Sequence, residues 1–223
     1  MKIQDTRIIC LYDLSHTIAK KLLEQFEFPW EVLPHIEAYI LKTGETLSPD
    51  EYEQRENYVW IHKTANVFPS AYLGKNIIVG PHAQVRHCAF VRENAIIGEG
   101  SVVGNSTELK NVILFDCVEV PHYNYVGDSV LGYKAHMGAG SITSNVRADK
   151  APVRVHTEDG DKETGLKKFG AMLGDHAEIG CGSVLNPGTV IGRNSNVYPL
   201  SSVRQCVDAD SIYKKQGEVA EKR

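Results

Sequence analysis

The sequence predicts an all-β chain wound as a parallel coil of short strands, with a helical cap before the coil and an inserted loop within it. Two observations carry this: aliphatic side chains recur every six residues, and glycine or another small residue often follows them. Val67, Leu73, Val79, Val85, Val91, Ile97, Val103 and Leu109 keep one register, and Leu173, Ile179, Leu185, Ile191, Val197 and Val203 keep it again. Leu131, Met137 and Thr143 carry it between the two runs. A period of six fits neither the 3.6-residue turn of a helix nor the alternation of a hairpin sheet. It fits flat strands separated by tight corners, with the aliphatic side chain pointing inward. Three hexads close a triangular turn of 18 residues, and successive turns pair as parallel strands about 4.8 Å apart. Glycines at 74, 80, 98, 104, 132, 138, 174, 180 and 192 follow the aliphatic. They are expected to let the backbone turn where a Cβ would crowd it.

Residues 1–58 read as the helical cap and its connector. Ser15 is placed to cap a helix over 16–26, and Pro29 to open a second over 30–42 that stops at Gly44. The charged stretch from Ser48 to Glu56 reads as a connecting loop with one turn of helix. The coil occupies 59–206. Between 146 and 168 the six-step is lost, and Asp159-Gly160 sits between short flanks like a hairpin turn, so this stretch is an inserted loop able to cover a ligand or a neighbouring subunit. Residues 207–223 form the C-terminal tail, polar from Lys214 to Arg223 and expected to be partly disordered there.

With 42% hydrophobic and 23% charged residues, the 223-residue chain has the composition of a folded protein with one full-sized core. A net charge of −4 argues against a phosphate-neutralising surface, so no nucleic acid is expected as partner. No apolar run approaches a membrane span and the start lacks the order of a signal peptide, so a cytoplasmic protein without a membrane partner is expected. Five scattered cysteines, none in a CxxC pair, argue against a disulfide framework or a zinc ribbon and are expected to be reduced and mostly buried.

Several residues break the coil pattern. Arg92 and Lys110 lie 18 apart, one turn of the coil, so two cations are expected to stack and hold an anion between them; the alternative is that each pairs with a nearby acid, Glu93 or Glu108. The aromatic, polar segment from Val120 to Asp128 carries His122, placed to act as a general base, or else simply a packed or surface histidine. Asn145 ends a run of small residues that lets a ligand approach the backbone, or starts the inserted loop in a left-handed conformation. His82, His87 and His122 raise zinc chemistry, three imidazoles with an open position, although their spacing is not that of the carbonic anhydrase-like coils.

Glu108-Leu-Lys-Asn, then Pro121-His-Tyr-Asn-Tyr-Val-Gly-Asp128, then Met137-Gly-Ala-Gly-Ser-Ile-Thr-Ser-Asn145, resemble the acetyltransferase half of the bacterial bifunctional N-acetylglucosamine-1-phosphate uridyltransferase and glucosamine-1-phosphate acetyltransferase. The likeness spans about residues 65 to 206. It implies the left hand of the β-helix, which period alone does not. It also implies His122 as catalytic base, Arg92 and Lys110 as phosphate or nucleotide-binding cations, Tyr125 and Asn145 as ligand-binding residues, and Lys168 as a further substrate lysine. Asn145, Val146, Cys181 and Pro199 fall along the acetyl-CoA path. His136 stands where the family has a sugar-binding asparagine, and Val146 replaces a tyrosine. The family's nucleotidyltransferase domain has no counterpart here, so that activity is not expected. The resemblance therefore implies a homotrimeric N-acetyltransferase that uses acetyl-CoA, without a required metal, on an amino-sugar phosphate or nucleotide-linked amino sugar. The alternatives are a non-catalytic sugar-nucleotide-binding or scaffold protein and a zinc hydratase.

Overall fold

The computed structural model describes residues 1–215 and 218–221. Its core is a β-solenoid whose parallel strands stack into three faces. The first face runs from Asn66–Val67 through Gln84–Val85, Val102–Asn105, Glu119–His122, His136–Met137, Glu178–Ile179 and Asn196–Val197 to Ser211–Lys215. Four longer strands, Tyr72–Val79, Phe90–Ile97, Glu108–Leu114 and Tyr125–Leu131, each turn a corner at a residue of positive φ: Asn76, Asn94, Asn111 and Asp128. Their leading halves form the second face and their trailing halves the third. Ile142–Thr143, Val184–Leu185 and Ser202–Val203 extend the second face, and Ala171–Leu173, Thr189–Ile191 and Cys206–Val207 the third.

The six-step aliphatics point inward: all are buried from Val79 onward, and Val67 and Leu73, in the first turn, are half-buried. Their partners are 18 residues on at the start, as in Leu73 with Val91. In the middle of the coil they are 17 on, as in Val103 with Val120 and Leu114 with Leu131, and above the inserted loop 18 again, as in Ile179 with Val197. The glycines that follow the aliphatics do a different job from the one expected. None of them has positive φ. Instead, a Cβ on Gly104 would fall on the backbone of Pro121 in the next turn, and one on Gly98 on the backbone of Phe115. Close approach between turns excludes the side chain there, while the left-handed corner conformation lies further along, at His82, Ser106, Cys117, Tyr123 and their neighbours in each column. Most of these are not glycine, and two of them, Cys88 and Cys117, explain why the cysteines are not mostly buried: Cys10, Cys88, Cys117 and Cys181 are exposed and only Cys206 is inside.

The N-terminal segment is more broken than its pattern predicts. Asp13, not Ser15, is the cap: its Oδ1 accepts from the Ser15 N–H at 3.0 Å and begins a 3₁₀ turn, Leu14–His16. The α-helix that follows spans only Lys20–Leu23. Pro34 lacks an N–H and restricts the residue before it, so the second segment is 3₁₀ over Pro29–His35 and α only over Ile36–Gly44. Gly44 is the last helical residue, pressed against the Trp60 indole. The Ser48 region makes its single turn and then a strand, Tyr52–Arg55, antiparallel to Val59–His62.

This segment covers the outside of the third face. Both inward and outward residues are therefore buried in Ile77-Ile78-Val79, Ala95-Ile96-Ile97 and Val112-Ile113-Leu114. Such continuous apolar triplets mark strands covered on both sides. The outside of the second face is left open. The inserted loop folds as a hairpin, Arg154–Thr157 with Gly160–Glu163, whose turn residues are Glu158 and Asp159 and whose Gly160 already pairs. Its tip holds the start of the chain: the Ile3 N–H donates to Asp159 Oδ2 at 2.9 Å and the Glu158 N–H to the Met1 carbonyl at 3.1 Å. Where an irregular tail is expected, Ser211–Lys215 pairs antiparallel with Glu218–Glu221; residues 216, 217, 222 and 223 of that expectation lie outside the described residues.

Gly104→Ala is expected to destabilise the fold by about 3 kcal/mol or more, because backbone must move. Gly140→Ala has open space around the new methyl group but a φ of 70°, and is expected to cost about 1–2 kcal/mol. Urea unfolding of the two variants checks this; equal losses would mean that turn spacing is not what selects glycine.

Candidate functional site

On the open second face, side chains of successive turns line up in columns. One outward column is Tyr72, Phe90, Glu108, Tyr125 and Ile142. Beside it, Lys110 stands opposite Gly127. At the corner that closes this face, Asp128 sits above Asn111, Asn94 and Asn76, each with φ between 48° and 55°, a conformation that Asn and Asp tolerate because their short polar side chains bond locally. The Asp128 side chain is 4% exposed. Its Oδ1 accepts from Lys110 Nζ at 2.9 Å and Asn111 Nδ2 at 3.0 Å, and its Oδ2 from Asn145 Nδ2 at 2.6 Å. The same Asn145 amide donates to the Tyr125 hydroxyl at 3.1 Å. Burial, with the carboxylates of Asp128 and Glu108 adding to it, pushes the Tyr125 hydroxyl up, so it stays protonated and able to donate.

The expected stack of two cations is not formed. The strand register shifts between Val91 and Glu93, which places Glu93, not Arg92, opposite Lys110. A bulge of this kind re-aims a side chain: Arg92 Nη1 reaches Glu108 Oε1 at 3.0 Å on the exposed face. Lys110, with a side chain 14% exposed, is held by Asp128. The pairing with nearby acids therefore describes both cations, with Asp128 as the second acid. Lys168 is exposed and takes part in no ion pair among the described residues. The inserted loop delivers it here, since the N–H of the next residue, Phe169, donates to the Asn145 carbonyl at 3.0 Å, and Phe169 packs on Trp30. Arg92, Lys110, Tyr125 and Asn145 thus share one patch, and Lys168 lies next in the chain to the residue bonded to Asn145. Lys110 is a braced, neutralised group, Arg92 is exposed and paired, and Lys168 is exposed without an ion pair among the described residues.

His122 ends the first face, at the corner where the chain turns toward Tyr125 three residues on. It is exposed, and its imidazole makes no hydrogen bond among the described residues. Its backbone is fixed: the N–H donates to Asn124 Oδ1 at 3.0 Å and the carbonyl accepts from Gly140 at 2.9 Å. Asn105, His122, Ala139, Cys181 and Pro199 form a column along this corner, connected by Asn105 opposite His122, Gly182 N–H to the Ala139 carbonyl and Leu200 N–H to the Cys181 carbonyl. Gly140 has open space around its α-carbon on this corner, whereas the Leu200 side chain lies over Gly182.

Three sequence-predicted residues fall elsewhere. His136 is on the first face, opposite Glu119 and bonded through Nδ1 to Glu178 at 2.9 Å, outside the second-face patch. Val146 lines a cavity of about 410 Å³ with Arg147, Asn186 and Arg204 at the base of the inserted loop. His82 turns a different corner from His87 and His122, and His87 packs on Phe68; no group of three metal-binding side chains assembles among the described residues. Two groups are not singled out by the sequence. The one signal for Asp128 is its place as an acid 18 residues after Lys110. Gly127 is needed because a Cβ there would meet the Tyr125 hydroxyl and the Asn145 amide, a signal legible only once the register is known.

Asp128→Asn leaves the largely buried Lys110 side chain without its countercharge and is expected to cost about 3 kcal/mol, whereas Asp128→Asn combined with Lys110→Met recovers most of that loss. Chemical unfolding of the single and double variants checks the coupling; additive losses would show that the pair does not interact.

No protein-family model matches the chain. It is 35% identical over 136 residues to the bifunctional protein GlmU of Methanococcus vannielii, covering 60% of this chain and 33% of that protein. It is 28% identical over 176 residues to the bifunctional protein GlmU of a Picosynechococcus species, covering 78% of this chain and 34% of that protein. A solved hexapeptide transferase family protein from Anaplasma phagocytophilum aligns with a TM-score of 0.40 at 14% identity, covering 74% of this chain and 79% of that one. The chain spans about a third of the length of the curated relatives it matches. In coil and in sequence, it is a hexapeptide-repeat chain that resembles the acetyltransferase region of the bifunctional GlmU proteins.

Proposed function

We propose that the chain is an acyltransferase that moves an acetyl group from acetyl-CoA to the amine of a sugar phosphate or nucleotide-linked sugar, with His122 as general base. The observation that carries this is the second-face patch of Arg92, Tyr125 and Asn145, with Lys168 beside Asn145 along the chain and Tyr125 three residues beyond an exposed imidazole, that of His122. Arg92 and Lys168 hold the phosphate, and Lys110 with Asp128 keeps Asn145 and Tyr125 aimed at the sugar. His122 takes the proton that the amine loses as its nitrogen bonds the thioester carbon, and gives it to the sulfur as the carbon–sulfur bond breaks. The products are the acetamide and free CoA thiol, and no metal is needed. Holding both reactants on one surface makes the attack effectively intramolecular.

Acetyl-CoA lies along the column of Ala139, Cys181 and Pro199, with Asn145 and Val146 at the loop base. The reading includes a homotrimer in which a neighbour closes this corner. Tyr123 and Leu200, 65% and 85% exposed on the His122 corner, support such a cover. His136 remains a candidate sugar contact only across such a junction. The reading also includes a cytoplasmic location, and no helix among the described residues is long and apolar enough to cross a membrane. The departures at His136 and Val146, both of which lie away from the patch, favour, as a second reading, a protein that binds sugar nucleotides without turnover.

Thiol release from acetyl-CoA in the presence of amino-sugar phosphates and nucleotide-linked amino sugars separates the two: turnover supports transfer, and saturable binding with no thiol supports the binder. His122→Ala is expected to lower turnover by about 10²- to 10⁴-fold with unfolding and acceptor binding unchanged; wild-type turnover in this variant would remove the base. Lys168→Ala is expected to raise the acceptor KM about tenfold through loss of a charge-assisted contact, and an unaltered KM would remove it from the acceptor site.

A further inference from the structure

The column that ends at Tyr125 begins with two exposed aromatic rings that the proposed chemistry does not use. Tyr72 and Phe90 are 61% and 42% exposed, directly opposite each other on adjacent strands, with ring centroids 5.5 Å apart and planes tilted by 59°, so a planar group stacked on one ring meets the edge of the other. Outward-facing aromatics on a solvated sheet face cost burial energy unless something covers them. Next to Tyr72, at the open first turn of the coil, is a cavity of about 600 Å³ bounded also by Phe68, Asn57 and the charged Arg55 and Glu56. The column then reaches Glu108 and the Arg92 guanidinium paired with it, and finally Tyr125. At ~4.8 Å per strand, Tyr72 and Tyr125 are three strands, about 14 Å, apart. The order along this face is aromatic pair, then Glu108 with the exposed Arg92 guanidinium paired to it, then the tyrosine of the proposed sugar site; a diphosphate there competes with Glu108 for Arg92.

We infer that the acceptor is a nucleotide-linked amino sugar whose base stacks on the Tyr72–Phe90 pair, whose diphosphate meets Arg92 and whose sugar reaches Tyr125 and Asn145. This rests on the acyltransferase reading for the sugar end, and on the face itself for the base. Stacking on aromatic faces suits any nucleobase, and the cavity beside Tyr72 gives the base edge room and the Asn57 amide as a polar neighbour. A bare sugar phosphate has no group to cover the two rings.

The test compares one amino sugar as its 1-phosphate and as its nucleoside diphosphate derivative, following thiol release in wild type, Phe90→Ala, Tyr72→Ala and Phe90→Tyr. The wild type is expected to show a KM at least tenfold lower for the nucleotide-linked form. Phe90→Ala and Tyr72→Ala should raise that KM about tenfold with kcat unchanged and leave the sugar-phosphate KM alone, and Phe90→Tyr should restore it. Equal use of both acceptors by wild type, or equal effects on both, overturns the inference. A change in solution mass on Phe90→Ala would make the pair a contact between copies of the chain and overturn it too. If no acceptor is acetylated, the acyltransferase reading fails while the aromatic pair is still tested by calorimetry with UDP, GDP and dTDP. Binding weakened about tenfold by Phe90→Ala supports it, and no binding to wild type overturns it.

Discussion

Adjacent turns of the coil approach so closely that a methyl group has no place between Gly104 and Pro121 or between Gly98 and Phe115, and this contact makes the rest of the molecule a set of columns. Residues 17 or 18 apart in the chain become neighbours on one face, so chemistry scattered through the sequence is gathered without any long-range loop having to find its partner. The corners then need left-handed backbone once per side, and Asn76, Asn94, Asn111 and Asp128 supply it on the corner next to the site. That run of short polar side chains has a second use. Asn76 bonds Asn94 and Glu37, and Asn111 bonds Leu33 and Asp128. The corner geometry is thereby tied to the helical segment and to the residues of the proposed site together.

Asp128 is where structure and function meet. A buried carboxylate is tolerable only with full partners, and its partners are Lys110, Asn111 and Asn145. The lysine is thereby held in place and its charge neutralised, and the asparagine amide is aimed so that it also reaches Tyr125. The inserted loop leaves the coil at Asn145 and returns at Phe169, whose backbone bonds back to Asn145. The loop therefore sets Lys168 next to the residue bonded to Asn145 without disturbing the columns below it, and its hairpin tip is anchored at the far side by the start of the chain.

Much of the coil was legible because one physical requirement, a buried aliphatic at each flat side, repeats at a fixed interval. What was not legible depended on register. A single bulge at Arg92 separates two cations that an unbroken spacing of 18 would stack, and no local signal in the chain announces it. The glycines were visible, but their reason was not, since turning and close approach both favour glycine and only the stacked backbone tells them apart. The helical segment was readable in outline and wrong in detail. Pro34 lies inside an apolar pattern that continues through it, and Asp13 competes with Ser15 for the same cap. His122, Tyr125 and Asn145 were picked out by their departure from the coil pattern and by family likeness. Asp128, a small acid at a corner, was not, because its importance lies in three bonds made to residues from other turns.

The most direct test of the whole account is a crystal structure with CoA and a non-reactive amino-sugar acceptor analogue bound together. The account predicts the CoA sulfur and the acceptor nitrogen side by side at the His122 corner, with the nitrogen within hydrogen-bond distance of the imidazole, ~3 Å, and the sugar against Tyr125 and Asn145. A CoA sulfur lodged elsewhere, for example in the cavity between Val146 and Arg204 with His122 facing solvent, would contradict it.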